Sequence, residues 1–426
     1  MMRRVQFLVL ATVLFVAAFS TGATFLFFLL YLGIVVIGGA YVVTRFGLSD
    51  LEAGHVLDRM RGEVGDILRA SYTVRNLSRI PKLWLEVHNP TTLPVPLPGR
   101  ALALGSRAEV SWVTYAQLTR RGQYRIEPLL LRAADPFGLF ESYATVGRAS
   151  TVIVYPRVEP IPGWHLAPAS VEGSHAHPVR TPQTTPHATS IRPYAPGDAY
   201  NRIHWKSSAR QGELQVKEFD LEQTADVWLF LDLYGPAHTG EGDESTVEYA
   251  VRAAAAIGAQ AIYDNRAVAV TASGARTVTL QPDRGQRQYQ KIMQLLAAAN
   301  ADGSAPLHEV LVENILRLRR GTTAVVITPS TDRDWVKTLS TLQPRGVAVM
   351  VVALDAAAFD TLVRKEPDAD AKSKPPVTAP SKHELPAQRA LLHALAEYDL
   401  TPVWVGPGRS LGEQLVTRTP RMLVAR

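Results

Sequence analysis

The first forty residues are almost entirely apolar and differ from everything that follows. No charged side chain lies between Arg4 and Arg45. One helix of that length would extend for about 60 Å, roughly twice the hydrocarbon thickness of a bilayer. The one polar interruption, Ser20-Thr21-Gly22, is placed where a turn would allow two shorter helices. The pattern therefore predicts a hairpin of two transmembrane helices, Val5–Phe19 and Ala23–Val43, within a membrane segment of residues 1–44.

A cleaved signal peptide is the alternative, because Arg3 and Arg4 resemble its positively charged start. A second apolar run that begins three residues after the first favours the hairpin. Arginines flank both ends of this segment, and its central turn carries no charge. The excess of positive charge on cytoplasmic flanks therefore predicts a two-helix protein of the cell membrane whose soluble domains face the cytoplasm.

Residues 45–156 show short stretches in which apolar and polar positions alternate. Ile67–Val74 and Leu83–Val87 have the period of half-buried strands. Turn signals such as Pro98-Gly99 and Asp135-Pro136 separate such stretches. Many short strands with turns at this spacing predict an antiparallel β-sandwich, of the immunoglobulin-like kind.

Residues 157–190 are rich in Pro, Thr, Ser and His and have no periodicity, which predicts a connector. Its His175 and His177 are spaced like a pair of metal ligands. Glu172 is the one acid close to them in the sequence and no third His is close, so we interpret them as part of a solvated loop.

Beyond residue 225 strands and helices alternate, which predicts a mostly parallel sheet covered by helices on both faces. Val227–Leu233 is a continuous apolar strand, and the amphipathic helix Thr246–Tyr263 follows it. Residues 363–385, which carry four Lys and four Pro, predict an exposed insertion. The other predicted elements are a hairpin of Ala267–Ser273 and Thr277–Leu280, helices Gln286–Ala299, Leu307–Arg320, Asp332–Leu342, Leu392–Tyr398 and Leu411–Thr417, and strands Thr323–Thr328, Val347–Leu354 and Pro402–Val405.

Two predicted helices begin with the sequence of a capping box. Ser245 precedes Glu248 by three residues, and Ser410 precedes Glu413 in the same way. In such a box the serine hydroxyl accepts a hydrogen bond from a free backbone N–H of the first turn. Both serines are therefore predicted to be N-caps.

Composition excludes several classes of protein. The 426 residues include no cysteine, which excludes disulfide scaffolds, thiolate nucleophiles, iron–sulfur clusters and cysteine-based zinc sites. The net charge of +6 is a small excess for this length, and the basic residues are not interleaved with aromatic residues as in a nucleic-acid groove. No phosphate-binding loop and no nucleophile elbow is present in the sequence. We therefore expect neither an enzyme nor a nucleic-acid-binding protein.

The highest density of unusual residues lies between the two predicted soluble domains, in Ile191–Gly212. If Ala199–Arg210 is a helix capped by Asp198, then Arg202, Lys206 and Arg210 lie on one face of it. Three neighbouring cations require anionic partners nearby. The candidate site residues are Gly197, Asp198, Arg202, His204, Trp205, Lys206 and Arg210.

Three interpretations of this segment remain open. In the first, Trp205 packs into the sheet and nearby acids neutralise the cations; these acids are Asp198, Glu213, Glu218 and Asp220. In the second, the cations and Trp205 form a docking surface for an acidic partner or a phosphate. In the third, His204 or Lys206 is catalytic, although no ordered set of carboxylate, histidine and nucleophile supports this.

Several sequence motifs resemble those of one widespread bacterial family. The motifs are Asp135–Phe140, Tyr155-Pro156, Pro196–Asp198 and the string Arg202–Arg210. The family is catalogued as domain-of-unknown-function family fifty-eight. This resemblance implies a membrane-anchored protein whose residues 191–426 contain a von Willebrand factor A-like α/β domain. It also implies a gene situated near those of MoxR-type AAA+ ATPases, and it implies no enzymatic activity.

Domains of the von Willebrand A type often bind a divalent metal through an Asp-x-Ser-x-Ser motif after the first strand. Here Asp232 ends that strand, but Tyr234 and Pro236 occupy the two serine positions. Asp332 stands where a distal acidic ligand would be. We therefore expect no cofactor, and Mg²⁺ held by Asp232 and Asp332 is the weaker alternative.

Together these features predict a non-enzymatic, membrane-anchored adaptor or scaffold. Its protein partner would be cytosolic, such as a MoxR-type AAA+ ATPase, and its lipid contact would be made by the hairpin. The alternative is a ligand-binding von Willebrand A module that depends on a divalent metal.

Overall fold

A computed structural model describes residues 2–135, 137–162, 164, 190–195, 200, 203–218, 226–365 and 386–415. His175 and His177, which we interpreted as part of a solvated loop, lie outside these residues, as does most of the predicted insertion. The chain forms two compact units. The first comprises residues 1–158 and 293–299, and the second comprises residues 159–292 and 300–426.

The first unit begins with two helices, α1 (Met2–Thr21) and α2 (Thr24–Gly47). Gly22 separates them with a φ of 65°, which is costly for a residue with a Cβ, and the Phe19 ring lies 5.2 Å from that of Phe27. Within the described part of the chain, α2 is the one helix long and apolar enough to cross a membrane. The apolar part of α1, Val9–Thr21, is shorter. One candidate span is therefore present, and the transmembrane hairpin stays a prediction.

Three small sheets form the β-rich part of this unit, as the alternating pattern predicts. One is antiparallel and contains β1 (Leu51–Leu57), β3 (Ile67–Asn76) and β6 (Glu109–Gln117). A second antiparallel sheet has the order β5 (Arg100–Leu104), β4 (Lys82–His88), β8 (Leu129–Ala134) and β9 (Glu141–Val146). The third contains β2 (Arg61–Glu63), β10 (Ser150–Tyr155) and β7 (Gly122–Ile126), and its β2–β10 pair is parallel.

The core of this β-rich part follows the period of two. Alternate side chains of β3, such as Leu68 and Tyr72, are buried, and they pack in one cluster with Leu85 of β4 and Leu131 of β8. Burial of such side chains is worth about 1.5–3 kcal/mol each. The β-rich domain is confirmed, and its immunoglobulin-like topology stays a prediction.

The second unit contains a six-stranded sheet in which five strands are parallel. Its order is β15 (Thr277–Asp283), β14 (Val268–Ser273), β13 (Val227–Leu231), β16 (Thr323–Thr328), β17 (Ala348–Leu354) and β18 (Pro402–Val405), with β15 antiparallel at the edge. Every residue of β13, β14 and β16 is buried, because helices cover both faces of a parallel sheet. The helices are α4 (Thr246–Tyr263), α5 (Gly285–Ala297), α6 (Leu307–Asn314), α7 (Asp334–Ser340), α8 (Ala356–Lys365), α9 (Pro386–Ala396) and α10 (Leu411–Gln414).

Some predicted boundaries in the second unit were wrong. Helix α8 was not predicted, and α9 begins at Pro386, six residues before the predicted start, because proline is well suited to the first helical position. Ser245 caps α4 as predicted, its Oγ accepting from the N–H of Glu248 at 3.4 Å. Ser410 makes no such bond; instead the N–H of Leu411 donates to Glu159 Oε2 at 2.9 Å.

Candidate functional site

The segment singled out by the sequence folds as a short helix packed on a two-stranded ribbon. Strands β11 (Ser190–Pro193) and β12 (Gln215–Glu218) are antiparallel, and α3 (Trp205–Gln211) lies between them in the sequence. The predicted helix Ala199–Arg210 was therefore wrong in its start. Buried Ile203 pairs with Val216 as an isolated bridge, so the helix does not extend back through Ile203. Gly197, Asp198 and Arg202 lie outside the described residues.

His204 is the N-cap of α3, a role that the sequence assigned to Asp198. Its Nδ1 accepts from the N–H of Ser207 at 3.2 Å and lies 2.7 Å from Ser207 Oγ. Its own backbone N–H donates to the carbonyl of Gln215 at 2.8 Å. An Nδ1 that accepts carries no proton, so this nitrogen of His204 serves as the helix cap. Ser207 Oγ is the hydroxyl next to it, and no described carboxylate pairs with the ring to complete a catalytic triad.

Ser208 joins the helix to the ribbon. Its Oγ donates to the His204 carbonyl at 3.1 Å and accepts from the N–H of Gln215 at 2.9 Å. Gly212 then ends the helix with a φ of 73°, and its N–H donates to the Ser208 carbonyl at 3.0 Å. Both ends of this short helix are thus fixed by hydrogen bonds.

The outer side of α3 presents an aromatic ring beside two cations. Trp205 is 67% exposed, so the expectation that it packs into the sheet was wrong. Lys206 and Arg210 are exposed and lie four residues apart, on one face. Among the described residues no carboxylate lies within 4.0 Å of either cation. We call Trp205, Lys206 and Arg210 the α3 surface.

Four acids were predicted to neutralise Lys206 and Arg210, and the side chain of one of them, Glu213, is described. Glu213 is exposed and forms no ion pair with a described cation. Asp220 lies outside the described residues, as do the side chain of Glu218 and the whole of Asp198. Of the four acids, only the side chain of Glu213 is described, and it does not neutralise Lys206 or Arg210.

The carboxyl end of β13 holds a buried polar cluster. Asp232 is fully buried; its Oδ2 accepts from Thr328 Oγ1 at 2.6 Å and its Oδ1 accepts from the N–H of Tyr234 at 3.0 Å. Burial raises the pKa of the Asp232 carboxyl. The Nε2–H of His238 donates to the Asp232 carbonyl at 2.9 Å, and burial lowers the pKa of His238.

This cluster does not fit the metal site that the fold family implies. Protein donors already occupy both carboxylate oxygens of Asp232. The carboxylate of Asp332 instead lies 3.3 Å from the N–H of Asp334, at the start of α7. No group of three His, Asp or Glu side chains in the described part of the chain is arranged to hold an ion. The described contacts of the Asp232 and Asp332 carboxylates are hydrogen bonds within the protein.

A cleft of about 640 Å³ opens at the same edge of the sheet, and sequence reasoning missed it. Ligands of open α/β sheets commonly bind in this place, beyond the carboxyl ends of the strands. The signal was present in the sequence, since Asp332 follows the strand β16 and Asp355 follows β17. The cleft is lined by residues that include Tyr234, Thr239, Ser330, Asp332, Asp355 and Trp404.

Comparison with known proteins relates part of the chain to a described family. Residues 190–359 match the family model described as "Protein of unknown function DUF58". The chain is similar to the DUF58 family over this part of its length. The matched DUF58 region includes the ribbon, the α3 surface and the first part of the parallel sheet. A relative in Bacillus subtilis, the "Uncharacterized protein YeaD", is 24% identical over 321 residues, which cover 72% of this chain and 78% of that protein.

Two solved structures resemble parts of the chain at low scores. The CARDB domain of PF1109 from Pyrococcus furiosus is 18% identical, and the match covers 25% of this chain and 92% of that one, with a TM-score of 0.20. An α-2-macroglobulin from Escherichia coli is 16% identical, and the match covers 26% of this chain and 8% of that one, with a TM-score of 0.21.

Proposed function

We propose that the protein is a non-enzymatic adaptor, anchored in the cell membrane, which binds a cytosolic protein partner through the α3 surface. The supporting observation is the exposure of Trp205 beside two cations that have no acidic partner among the described residues. Trp and Arg are the residue types most enriched among those that dominate binding energy. Unpaired Lys206 and Arg210 would steer an acidic partner and fix its orientation.

The membrane anchor would be α2, with α1 as a second span. Arg45 lies in the last turn of α2, and the positive-inside rule then places the soluble units in the cytoplasm. This topology would make the α3 surface accessible to cytosolic proteins. A MoxR-type AAA+ ATPase, implied by the family resemblance, is the partner that we propose to test first.

A divalent-metal-dependent ligand-binding module is less well supported. Its central carboxylate, Asp232, already has a hydroxyl and an N–H as partners. A ligand in the sheet-edge cleft would therefore have to bind without a metal held by this residue.

The test measures the affinity of a purified MoxR-type ATPase for the full chain in lipid nanodiscs. Lys206→Glu/Arg210→Glu should weaken binding by about tenfold or more, which corresponds to ~1.4 kcal/mol. Trp205→Ala should weaken it by a similar or larger factor, because a truncated anchor residue commonly costs about 2 kcal/mol.

The matched control is Arg276→Glu/Arg287→Glu, which makes the same change of charge at two other exposed arginines. The control should bind like the wild type. Equal affinity of the wild type and of the α3-surface variants, all folded, would refute docking at this surface.

A further inference from the structure

One motif singled out by the sequence has no part in the proposed docking: Asp135–Phe140. In the structure its described residues, 135 and 137–140, form a tight turn between β8 and β9. The buried carboxylate of Asp135 accepts from the N–H of Phe137 at 2.8 Å and from the N–H of Phe140 at 2.6 Å. Gly138 allows the turn with a φ of 68°. The carboxylate thus holds the loop in a fixed shape, and Phe137 stays 47% exposed on it.

The turn lies beside the end of α2. The ring of Phe140 packs edge-on against Tyr41 of α2, with centroids 5.6 Å apart. Tyr41 precedes Arg45 by four residues, so it lies about 6 Å further along α2 toward the apolar segment. The turn therefore reaches beyond the last charged residue of the helix.

The end of α2 is attached directly to β4 and β8 of the β-rich domain, and we call the contacts of Phe46, Gly47 and Lys82 the joint. The Nζ of Lys82 donates to the carbonyl of Phe46 at 2.6 Å and to Ser49 Oγ at 3.2 Å. Gly47 fits directly against β8, since a Cβ there would lie 2.7 Å from the Cβ of Ala133. Helix and sheet are in contact through these residues without a flexible linker.

Exposed apolar side chains of β4 and the loop before it surround this joint. Leu83 is 59% exposed and Trp84 is 52% exposed, and together with Ile80 they line a crevice against Val42 and Phe46 of α2. The exposed cations Arg45 and Arg79 flank them. An apolar and aromatic patch bordered by arginines is typical of the membrane–water interface.

The short distance from Arg45 to the end of α2 places this patch at the bilayer surface. Only two residues of α2 follow Arg45, which is a rise of about 3 Å, whereas the headgroup layer is about 5–7 Å thick on each side. A domain joined to α2 at Phe46 and Gly47 cannot keep its near edge out of that layer.

We propose that the turn between β8 and β9 and the segment Ile80–Trp84, which leads into β4, form a second membrane contact. Phe137, Leu83 and Trp84 are inserted among the lipid headgroups. Arg45 and Arg79 bind the phosphates of anionic lipids there. The β-rich domain is thereby held upright on the bilayer. Because α2 must lie in the bilayer for this contact to form, it rests on the anchoring proposed above.

The absence of cysteine from the sequence permits a direct test with single labelled sites. Full-length Phe137→Cys and Leu83→Cys are labelled with an environment-sensitive nitrobenzoxadiazole dye. They are reconstituted in vesicles of phosphatidylethanolamine and phosphatidylglycerol. Ile34→Cys, in the exposed middle of α2, is the control for the span. Tyr115→Cys, exposed on β6, is the matched control at the far end of the domain, about seven residues or 23 Å along β3 from Asn76.

The labels at Phe137 and Leu83 should emit at shorter wavelength than that at Tyr115 and should be quenched by a nitroxide near the lipid headgroup. The label at Tyr115 should respond only to aqueous iodide, and that at Ile34 to a nitroxide deep in the acyl chains. Water-like labels at Phe137 and Leu83 with a lipid-quenched Ile34 would overturn the second contact while the anchor stands. A water-like Ile34 would overturn both proposals.

Discussion

Lys82 is a nearly fully buried lysine, 2% exposed, whose ammonium group is held by two oxygens at the end of α2. The last carbonyls of a helix have no partner within the helix, and positive charge is favoured at that end. The lysine therefore both satisfies the Phe46 carbonyl and ties the helix to β4. Burial lowers the pKa of its ammonium group, so its position is maintained at a cost in solvation.

We expect Lys82→Met to lower the free energy of unfolding of the first unit by about 1–3 kcal/mol, because the hydrogen bonds from the charged ammonium group to Phe46 and Ser49 are lost. The methionine retains most of the apolar contact. The measurement is thermal unfolding of the full chain in detergent. Lys337→Met, which removes a well-exposed lysine, is the control and should leave the unfolding temperature unchanged. An unchanged temperature for Lys82→Met would show that the joint is not stabilising.

His238 gives the second unit a dependence on pH. Burial lowers its pKa below 6.5, so the unfolded chain binds a proton more readily than the folded chain. The contribution of neutral His238 to the free energy of unfolding is complete above about pH 6.5. It is lost as the pH falls through the lower pKa that His238 has in the folded state. His238→Gln should therefore show a smaller fall in unfolding temperature between about pH 7 and about pH 5 than the wild type.

In His238→Gln the unfolding temperature will still fall at low pH, because burial also lowers the pKa of His55 in the first unit. His88→Gln, at a more exposed histidine, is the control and should behave like the wild type. An identical pH profile for His238→Gln and the wild type would contradict the assignment.

At the scale of elements, the sequence predicted the parallel sheet and its helices well and the ribbon with α3 poorly. Helix α4 and strands β16 and β18 have the predicted bounds. The strands β11 and β12 were missed because, unlike β18, they contain no apolar run, and α3 was placed too early. The start of α3 depends on the side chain of His204, an unusual residue type for an N-cap. It also depends on the hydrogen bond from the backbone N–H of His204 to the carbonyl of Gln215, which lies later in the chain.

A seven-residue helix is not stable by itself, so the α3 surface should depend on its cap. Loss of an N-cap costs about 1 kcal/mol, and asparagine is among the best caps. In the ATPase-binding measurement, His204→Ala should weaken affinity by up to about fivefold. His204→Asn should bind close to the wild type. Equal losses in both variants would instead indicate that the imidazole contacts the partner.

At the scale of the whole molecule, the proposed function needs a membrane, a protein partner and no metal. We expect titration of the full chain with Mg²⁺ or Mn²⁺ to give no saturable heat at millimolar concentrations, because the oxygens of Asp232 are already hydrogen-bonded within the protein. Asp332→Ala is the companion variant. Saturable heat that disappears in this variant would restore the metal-dependent alternative.

The sequence by itself determined the apolar N-terminal segment, the β-rich domain and the parallel α/β sheet. These follow from local periods, since burial on one or both faces leaves a regular pattern in the chain. Only the tertiary structure decided that Trp205 is exposed, that His204 caps α3, and that the Asp135–Phe140 turn lies against Tyr41. Each of these depends on contacts between residues distant in sequence, such as Ile203 with Val216 or Phe46 with Lys82, which no local pattern encodes.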